Sequence, residues 1–326
     1  MNKSGSERIA AKLEKDGYKN TSKIEEADLV VVNMCSVRQP AVDRVFGVAQ
    51  KLKFLPGVRR VKTVLTGCIL KKDERKFRDI FDSVRREPWL SSYVKSKYIP
   101  ISNGCDNFCT YCVVPYTRGP LICRKYKDIL VEVRGAVKNG VKEIWLLGQN
   151  VNSYLSYYSC GRKNNKITFP KLLKMVNDVP GEFKIRFTSP NPADFSDELI
   201  ETMANCQKVA KFLNLPVQSG DDKILRKMNR KYTIKQYKNL VKKIRKAVIG
   251  INLSTDVIVG FPGETEKQFE NTVKLFKEIK FNIAYISKYS KRPGTPAFQL
   301  KDSVPIAEKK RREKILMKLL GKQKGN

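Results

Sequence analysis

The most restrictive feature of this sequence is a run of three closely spaced cysteines behind a short apolar segment. Cys105, Cys109 and Cys112 follow the apolar residues 98–101, with Gly104 before them and Pro115 after them. Glycine and proline at these places favour a loop over a helix. The spacing therefore predicts that the three thiols surround a ligand.

The rest of the chain limits what that ligand is. A structural zinc site uses four Cys or His ligands, commonly as two short pairs. No second pair follows here, and the chain has no histidine. Three cysteines are sufficient for a cubane iron–sulfur cluster whose fourth iron stays open for a small molecule. We interpret the triplet as such a cluster site, with a zinc loop or three unliganded thiols as the alternatives.

The residues around the triplet resemble the radical S-adenosylmethionine (SAM) methylthiotransferases, and among these the tRNA-modifying MiaB branch. The resemblance rests on Cys105-Asp-Asn-Phe-Cys109-Thr-Tyr-Cys112-Val-Val-Pro-Tyr-Thr-Arg-Gly119 and on Gly148-Gln-Asn-Val-Asn-Ser-Tyr154. It implies that Cys105, Cys109 and Cys112 are the catalytic ligands of a SAM-binding 4Fe-4S cluster. Reduction of SAM there would yield a 5′-deoxyadenosyl radical, chemistry that no side chain performs.

The N-terminal part alternates helical and strand patterns. Helices are expected at 4–16, 39–53 and 71–81, and apolar strands at 28–33 and 61–66. Ser4 and Glu7 have the spacing of a capping box at the first helix. The alternation predicts a small doubly wound α/β domain whose functional groups gather beyond the carboxyl ends of its strands. Cys35 and Cys68 each follow a strand end, so we expect both thiols at one edge of the sheet.

The resemblance assigns a role to these two cysteines. Methylthiotransferases hold a second, auxiliary 4Fe-4S cluster on three cysteines of the N-terminal domain. Asn33-Met-Cys35-Ser-Val-Arg38 and Thr66-Gly-Cys68 match the second and third of them. The first lies in a Gly-Cys-Gln-Met-Asn type of segment, whereas this chain opens with Met1-Asn2-Lys3-Ser4. We expect either a start at an internal methionine or a cluster that lacks one ligand.

From residue 98 onward, six strand–helix units predict an open (β/α)6 barrel like that of radical SAM enzymes. The strands are expected at 98–102, 142–147, 183–188, 211–217, 251–258 and 283–288. The helices are expected at 125–138, 169–178, 195–204, 222–228, 234–247 and 265–279. The cysteine loop follows the first strand, at the end where barrel enzymes carry their chemistry.

Loops after the later strands supply candidate cofactor contacts on the same rim. The resemblance assigns SAM to these regions, and the candidate contacts are Tyr111, Gly148, Gln149, Asn150, Ser189, Gln218, Ser219, Val257 and Gly260. A glycine-rich turn by itself is equally typical of a tight connection. One departure from the family pattern is Asn214, where relatives commonly carry histidine.

Length suggests a chain of about two domains. In its 326 residues we expect an auxiliary-cluster domain at 1–82, a linker at 83–97, a radical SAM core at 98–300 and a basic helix at 301–326, with the family's C-terminal TRAM domain absent. No apolar run reaches the length of a membrane span and no signal peptide is evident. We therefore expect a cytoplasmic protein that does not bind membranes.

The number of cysteines and the net charge further restrict the functional class of the protein. Eight cysteines in such a chain indicate metal binding or catalysis more than disulfides. Cys123, Cys160 and Cys206 match no family ligand and are expected to be free thiols. The formal charge of +33 favours a polyanionic partner such as nucleic acid, the alternative being a solvated surface of biased composition.

The resemblance implies an enzyme that adds a methylthio group to C2 of N6-isopentenyladenosine at position 37 of tRNA. Its partners would be the tRNA anticodon stem-loop and an electron donor such as flavodoxin or ferredoxin, and it would act as a monomer. The alternatives are methylthiolation of threonylcarbamoyl adenosine in tRNA or of a ribosomal protein, and a truncated, inactive iron–sulfur protein that binds RNA. A zinc-dependent RNA-binding module is a further alternative.

Overall fold

The computed structural model describes residues 2–36, 39–53, 61–85, 97–157 and 166–324. Its helices are α1 (Asn2–Lys15), α2 (Gln39–Lys53), α3 (Lys71–Arg78), α4 (Val114–Arg118), α5 (Tyr126–Lys138), α6 (Phe169–Asn177), α7 (Asp197–Asn205), α8 (Asp222–Lys227), α9 (Ile234–Ala247), α10 (Glu266–Ile279) and α11 (Ile306–Lys324). Most of the expected linker, Arg38 of the second cysteine motif and Cys160 lie outside the described residues.

The strands fall into an N-terminal set and a longer C-terminal set. They are β1 (Leu29–Cys35), β2 (Lys62–Cys68), β3 (Ser83–Val84), β4 (Tyr98–Pro100), β5 (Ser102–Asn103), β6 (Ile122–Cys123), β7 (Glu143–Leu147), β8 (Leu155–Tyr157), β9 (Lys166–Thr168), β10 (Lys184–Phe187), β11 (Phe212–Asn214), β12 (Asn252–Val259) and β13 (Ile283–Lys288).

The N-terminal strands form a three-stranded parallel sheet in the order β1-β2-β3. Met34, Leu65 and Phe77 are almost fully buried in the core between this sheet and its helices. Both strands expected from the apolar runs are confirmed. Strand β3 was not expected, because its two residues were assigned to the linker.

The first helix begins differently from the prediction. The chain is already helical at Asn2, so the capping box with Ser4 as its first residue is wrong. Ser4 is fully buried, and its hydroxyl donates to the carbonyl oxygen of Tyr98 at 2.9 Å. A hydroxyl that the sequence assigned to a helix end therefore joins α1 to the first barrel strand.

The C-terminal strands build the expected open barrel. One parallel sheet has the order β10-β7-β4 and a second has the order β11-β12-β13. A parallel bridge between Ile185 and Val209 connects the two, so that six strands lie side by side in chain order. All six strands and all six helices predicted for the barrel are confirmed to within a few residues. The antiparallel pairs β5-β6 and β8-β9 were not predicted.

Helices from the two ends of the chain cover the barrel edges. Helix α1 packs beside β4, where the Lys3 ammonium group lies 5.2 Å from the centre of the Tyr98 ring. Helix α11 packs beside β13, with Leu316 fully buried in the barrel core and an ion pair between Lys288 and Glu313. Both edge strands are thus covered by helix.

A buried ion pair joins α1 to α5. The side chains of Arg8 and Glu132 are each 1% exposed and contact each other directly. Arg124 approaches the second carboxylate oxygen of Glu132 at 2.9 Å. One carboxylate therefore contacts two guanidinium groups between the N-terminal domain and the barrel.

We expect Glu132→Gln to lower the free energy of unfolding by about 3–5 kcal/mol, because it leaves Arg8 charged and buried without its counter-ion. Chemical denaturation followed by circular dichroism measures this change. The matched control is Asp16→Asn, which breaks an exposed i,i+4 pair with Lys12 and should lower it by less than about 1 kcal/mol. Equal losses in the two variants would contradict the assignment.

Candidate functional site

A cleft of about 1,080 Å³ opens at the carboxyl ends of the barrel strands. Its walls come from the cysteine loop after β4, from the loops after β7, β10 and β11, from β12 and β13, and from the segment before α11. The expected convergence of loops on one rim is therefore found in the structure. Cys105, Cys109 and Cys112 all line this cleft.

The two ends of the cysteine loop approach each other so closely that only glycine fits at position 104. Gly104 has φ +79°, and a Cβ atom there would lie 1.9 Å from the carbonyl oxygen of Pro120. The backbone N–H of Cys105 donates to the carbonyl of Gly119 at 3.2 Å. The two ends of the loop are thus held together directly behind the first cysteine.

Neighbours in the loop donate hydrogen bonds to two of the sulfur atoms. The side-chain amide of Asn107 lies 3.4 Å from Cys105 Sγ. The backbone N–H of Val114 lies 3.5 Å from Cys112 Sγ. Burial, together with the nearby thiols of Cys109 and Cys105, raises the pKa of the Cys112 thiol to about 12.

The third sulfur has a cationic neighbour from elsewhere in the chain. Arg230 Nη1 lies 3.6 Å from Cys109 Sγ, while its other nitrogens donate to the Tyr232 hydroxyl and the Pro216 carbonyl. Every thiol of the triplet therefore accepts a hydrogen bond from at least one N–H group. Hydrogen bonds to sulfur stabilise metal-bound thiolates and tune a cluster.

The donor set fits a cluster better than a single ion. In the part of the chain that the structure describes, no three Cys, Asp or Glu side chains surround one metal position. The ligands of a cubane cluster each bind a different iron, so they lie further apart than the ligands of one ion. Closely placed buried thiols also need a positive centre in order to ionise, which a cluster provides.

Strained backbone is concentrated around the cleft. Phe108, Ser189, Gln218 and Asn229 have φ between +46° and +68°, a region that residues other than glycine rarely adopt. All four lie in the cysteine loop or in the loops facing it, and only Lys280 among the described non-glycine residues shares this conformation elsewhere. Such strain is typical of functional sites.

The candidate cofactor contacts divide into two groups. Those that line the cleft are Tyr111, Gln149, Ser189, Gln218 and Val257. The remaining four, Gly148, Asn150, Ser219 and Gly260, do not line it.

The four residues that do not line the cleft lie behind the loops that form its wall. Asn150 donates to Asp194 at 2.7 Å, and Ser219 is fully buried. A Cβ atom at Gly148 would lie 2.6 Å from Ser102 Oγ, and one at Gly260 would lie 2.4 Å from the Lys309 side chain. These residues shape the loops that carry the first group.

Asp256 is a further polar residue of the cleft, besides Asn107 and Arg230, that escaped the sequence prediction. Asp256 lines the cleft and accepts a hydrogen bond from the Asn214 amide at 2.8 Å. Ser254 in turn donates to Asn214 Oδ1 at 3.0 Å. The Asn214 amide thus orients the Asp256 carboxylate. Only the departure at Asn214 marked this place in the sequence.

The two cysteines of the N-terminal sheet lie at the same edge of that sheet, as expected. Cys35 and Cys68 are direct partners in the register of β1 and β2. Arg118 Nε lies 2.9 Å from Cys68 Sγ, and Arg118 Nη2 lies 2.8 Å from the side-chain oxygen of Asn2. Within the described ranges no third cysteine or carboxylate completes a metal site beside the pair.

A second arginine connects this pair to the cleft. Arg292 is buried, lines the cleft and donates to the carbonyl oxygen of Ser36, the residue after Cys35. Arg118 and Arg292 therefore reach from the barrel to the two cysteine-bearing strand ends. Cys123 and Cys206 form no disulfide bond with a described residue. None of the described helices combines the length and apolar character needed to cross a bilayer.

Family models match most of the chain. A model of the radical SAM superfamily matches residues 99–276, and a model of the uncharacterized protein family UPF0004 matches residues 1–86.

Curated relatives align along nearly the whole chain. The tRNA-2-methylthio-N(6)-dimethylallyladenosine synthase of Clostridium novyi is 40% identical over 346 residues, which cover 94% of this chain and 75% of the relative. The protein of the same name from Thermoanaerobacter sp. is 39% identical over 99% of this chain and 76% of its own length.

A solved structure shares the fold. The radical SAM methyltransferase TsrM from Kitasatospora setae, with cobalamin and a [4Fe-4S] cluster bound, superimposes with a TM-score of 0.63 over 90% of this chain and 73% of its own. The two sequences are 14% identical, so the similarity is one of fold.

We expect Gly104→Ala to bind far less iron after anaerobic reconstitution than the unsubstituted protein, because the added methyl group overlaps the Pro120 carbonyl. It should also lower the free energy of unfolding by more than about 3 kcal/mol. Iron analysis and chemical denaturation measure the two effects.

Gly140→Ala is the matched control. Gly140 has φ +81°, yet a Cβ atom there would meet nothing within 4 Å. This variant should keep its iron. Its free energy of unfolding should fall by about 1 kcal/mol, the effect of the left-handed backbone alone. Full iron in Gly104→Ala would show that the close approach does not support the cluster loop.

Proposed function

The chain belongs to the radical SAM methylthiotransferase family that includes the tRNA-2-methylthio-N(6)-dimethylallyladenosine synthases, and from this we propose that it adds a methylthio group to C2 of N6-isopentenyladenosine in tRNA. The observation that carries the proposal is the cysteine triplet in the barrel cleft, with at least one N–H donor on each sulfur. The modified base would be adenosine 37, next to the anticodon.

We assign the triplet to a 4Fe-4S cluster that binds SAM, as the radical SAM family implies. When bound there, the cluster and SAM supply the one-electron chemistry that removes hydrogen from an unactivated carbon. Cys105, Cys109 and Cys112 hold the cluster, while Asn107 and Arg230 orient two of the sulfur atoms.

The other residues of the cleft position SAM and the target base. We assign SAM binding to the residues that line the cleft next to the triplet, namely Tyr111, Gln149, Ser189, Gln218 and Val257. We assign Gly148, Asn150, Ser219 and Gly260 to the support of these loops. The chain has no histidine to move protons near neutral pH, which fits radical chemistry better than acid–base chemistry.

Cys35 and Cys68 would hold the auxiliary 4Fe-4S cluster that supplies sulfur. In support, the two thiols are partners in the strand register, and Arg118 donates to Cys68. We propose residues 1–82 as the domain of this cluster, 83–97 as the linker, 98–300 as the radical SAM core and 301–326 as a basic C-terminal helix.

The net charge of +33 supports a tRNA partner. Cationic side chains that neutralise phosphates supply affinity without reading sequence. An adenosine in a single-stranded loop is also easier to extrude into a cleft than a paired one. We further propose that the protein is cytoplasmic and monomeric and receives electrons from flavodoxin or ferredoxin.

We expect the reconstituted protein, with SAM and a reductant under anaerobic conditions, to form the 2-methylthio nucleoside in isopentenyladenosine-containing tRNA. Mass spectrometry of digested nucleosides measures the product. Cys109→Ala should abolish both this product and 5′-deoxyadenosine, since one cluster ligand is lost. Unchanged 5′-deoxyadenosine in that variant would refute the cluster assignment, and a product only with threonylcarbamoyl tRNA would refute the substrate.

The auxiliary cluster gives a separate prediction. Cys68→Ala should lose part of its iron and the methylthio product, while 5′-deoxyadenosine is still formed. The control is Cys206→Ala, a buried thiol of the barrel core that has no proposed ligand role and should keep both. Full methylthiolation by Cys68→Ala would rule out a ligand role for that thiol.

A further inference from the structure

Two aromatic rings stand exposed at the rim of the cleft. Phe108 and Tyr116 are 49% and 39% exposed, and their ring centres lie 6.2 Å apart at an interplanar angle of 76°. Asn107 and Val114, which are close to them in sequence, line the cleft. An edge-to-face pair of this kind leaves ring surface free for a third aromatic group.

The backbone holds Phe108 in this exposed position. Its φ of +46° lies in the left-handed region, which is strained for a bulky residue. The Asn229 side-chain amide donates to the carbonyl oxygens of both Asn107 and Phe108, at 3.1 and 3.0 Å. Thr110 is also fixed, because its hydroxyl donates to the Lys227 carbonyl at 2.8 Å. The backbone that presents the Phe108 ring is therefore held in place from outside the loop.

The segment that fixes the loop carries exposed positive charge. Arg226, Lys227 and Lys231 flank Asn229 in sequence and are all exposed. None of the three forms an ion pair with a residue that the structure describes. Aromatic rings beside unpaired cations match the chemistry of single-stranded nucleic acid, which offers flat bases and phosphates.

We propose that Phe108 and Tyr116 form a stacking platform for an unpaired RNA base next to the base that enters the cleft. The inference rests on the proposed function for the identity of the RNA. To that function it adds an RNA-binding role for the two rings and for the residues that hold their loop in place. When the neighbouring base stacks on the platform, the target base can leave the stacked RNA loop while the other loop bases stay ordered. Arg226, Lys227 and Lys231 would contact the phosphates beside it.

The test measures binding of a fluorescent anticodon stem-loop RNA to the reconstituted protein by anisotropy. Phe108→Ala and Tyr116→Ala should each weaken binding about tenfold, the usual effect of losing one stacked base. Phe108→Trp should restore it. Iron content is measured for every variant, and Tyr116→Ala carries the test alone if Phe108→Ala loses the cluster.

RNAs with a single abasic site identify the stacked base. At one loop position the missing base should weaken binding to the unsubstituted protein about tenfold and have no further effect on Phe108→Ala. Lys231→Ala should weaken binding of intact and abasic RNA by the same factor and reduce the salt dependence. Tyr18→Ala, a ring that is 47% exposed and does not line the cleft, is the control and should bind normally.

Unchanged binding in both alanine variants would overturn the platform, as would a failure of Phe108→Trp to restore binding. These results are separate from the test of the function. If the aromatic rings are needed for binding but no methylthio product forms, the platform stands and the proposed reaction fails. If the product forms and the rings are not needed, the reaction stands and the platform fails.

Discussion

The site depends on the close approach of two backbone segments at Gly104. A side chain at this position would overlap the Pro120 carbonyl, so the loop can close only around a hydrogen atom. Because the closure fixes where the loop leaves the barrel, the three sulfur atoms face one cleft and each lies near an N–H group. A steric constraint in the backbone thus sets the position of the loop, and hydrogen bonds to the sulfur atoms orient the thiols within it.

Charged hydrogen bonds connect the two halves of the molecule. Arg8 reaches from the N-terminal domain to Glu132 of the barrel, while Arg118 and Arg292 reach from the barrel to the strand ends that bear Cys68 and Cys35. The guanidinium group is always charged and presents its donors in a rigid plane. The cysteine pair and the cysteine triplet are therefore held in a fixed relation by arginine side chains, two of which also line or adjoin the cleft loop.

The architecture was readable from the sequence because its signals are local. Apolar runs such as residues 28–33 and the cysteine spacing need no knowledge of distant residues. What escaped prediction depends on contacts between distant segments: Ser4 binds Tyr98, Arg230 binds Cys109, and Asn229 binds the carbonyl of Phe108. Periodicity carries no information on such pairs, so the sequence predicts a helix cap at Ser4 and assigns no role to Arg230.

The position of α11 has a consequence for how the chain acquires its shape during synthesis. This helix follows β13 in the chain and covers that edge strand of the barrel. Until it docks, a parallel strand edge is open to pairing with other chains. The nascent protein is therefore most prone to misassociation after β13 has emerged and before α11 docks, when its cysteine-bearing loops are already outside the ribosome and iron loading can begin.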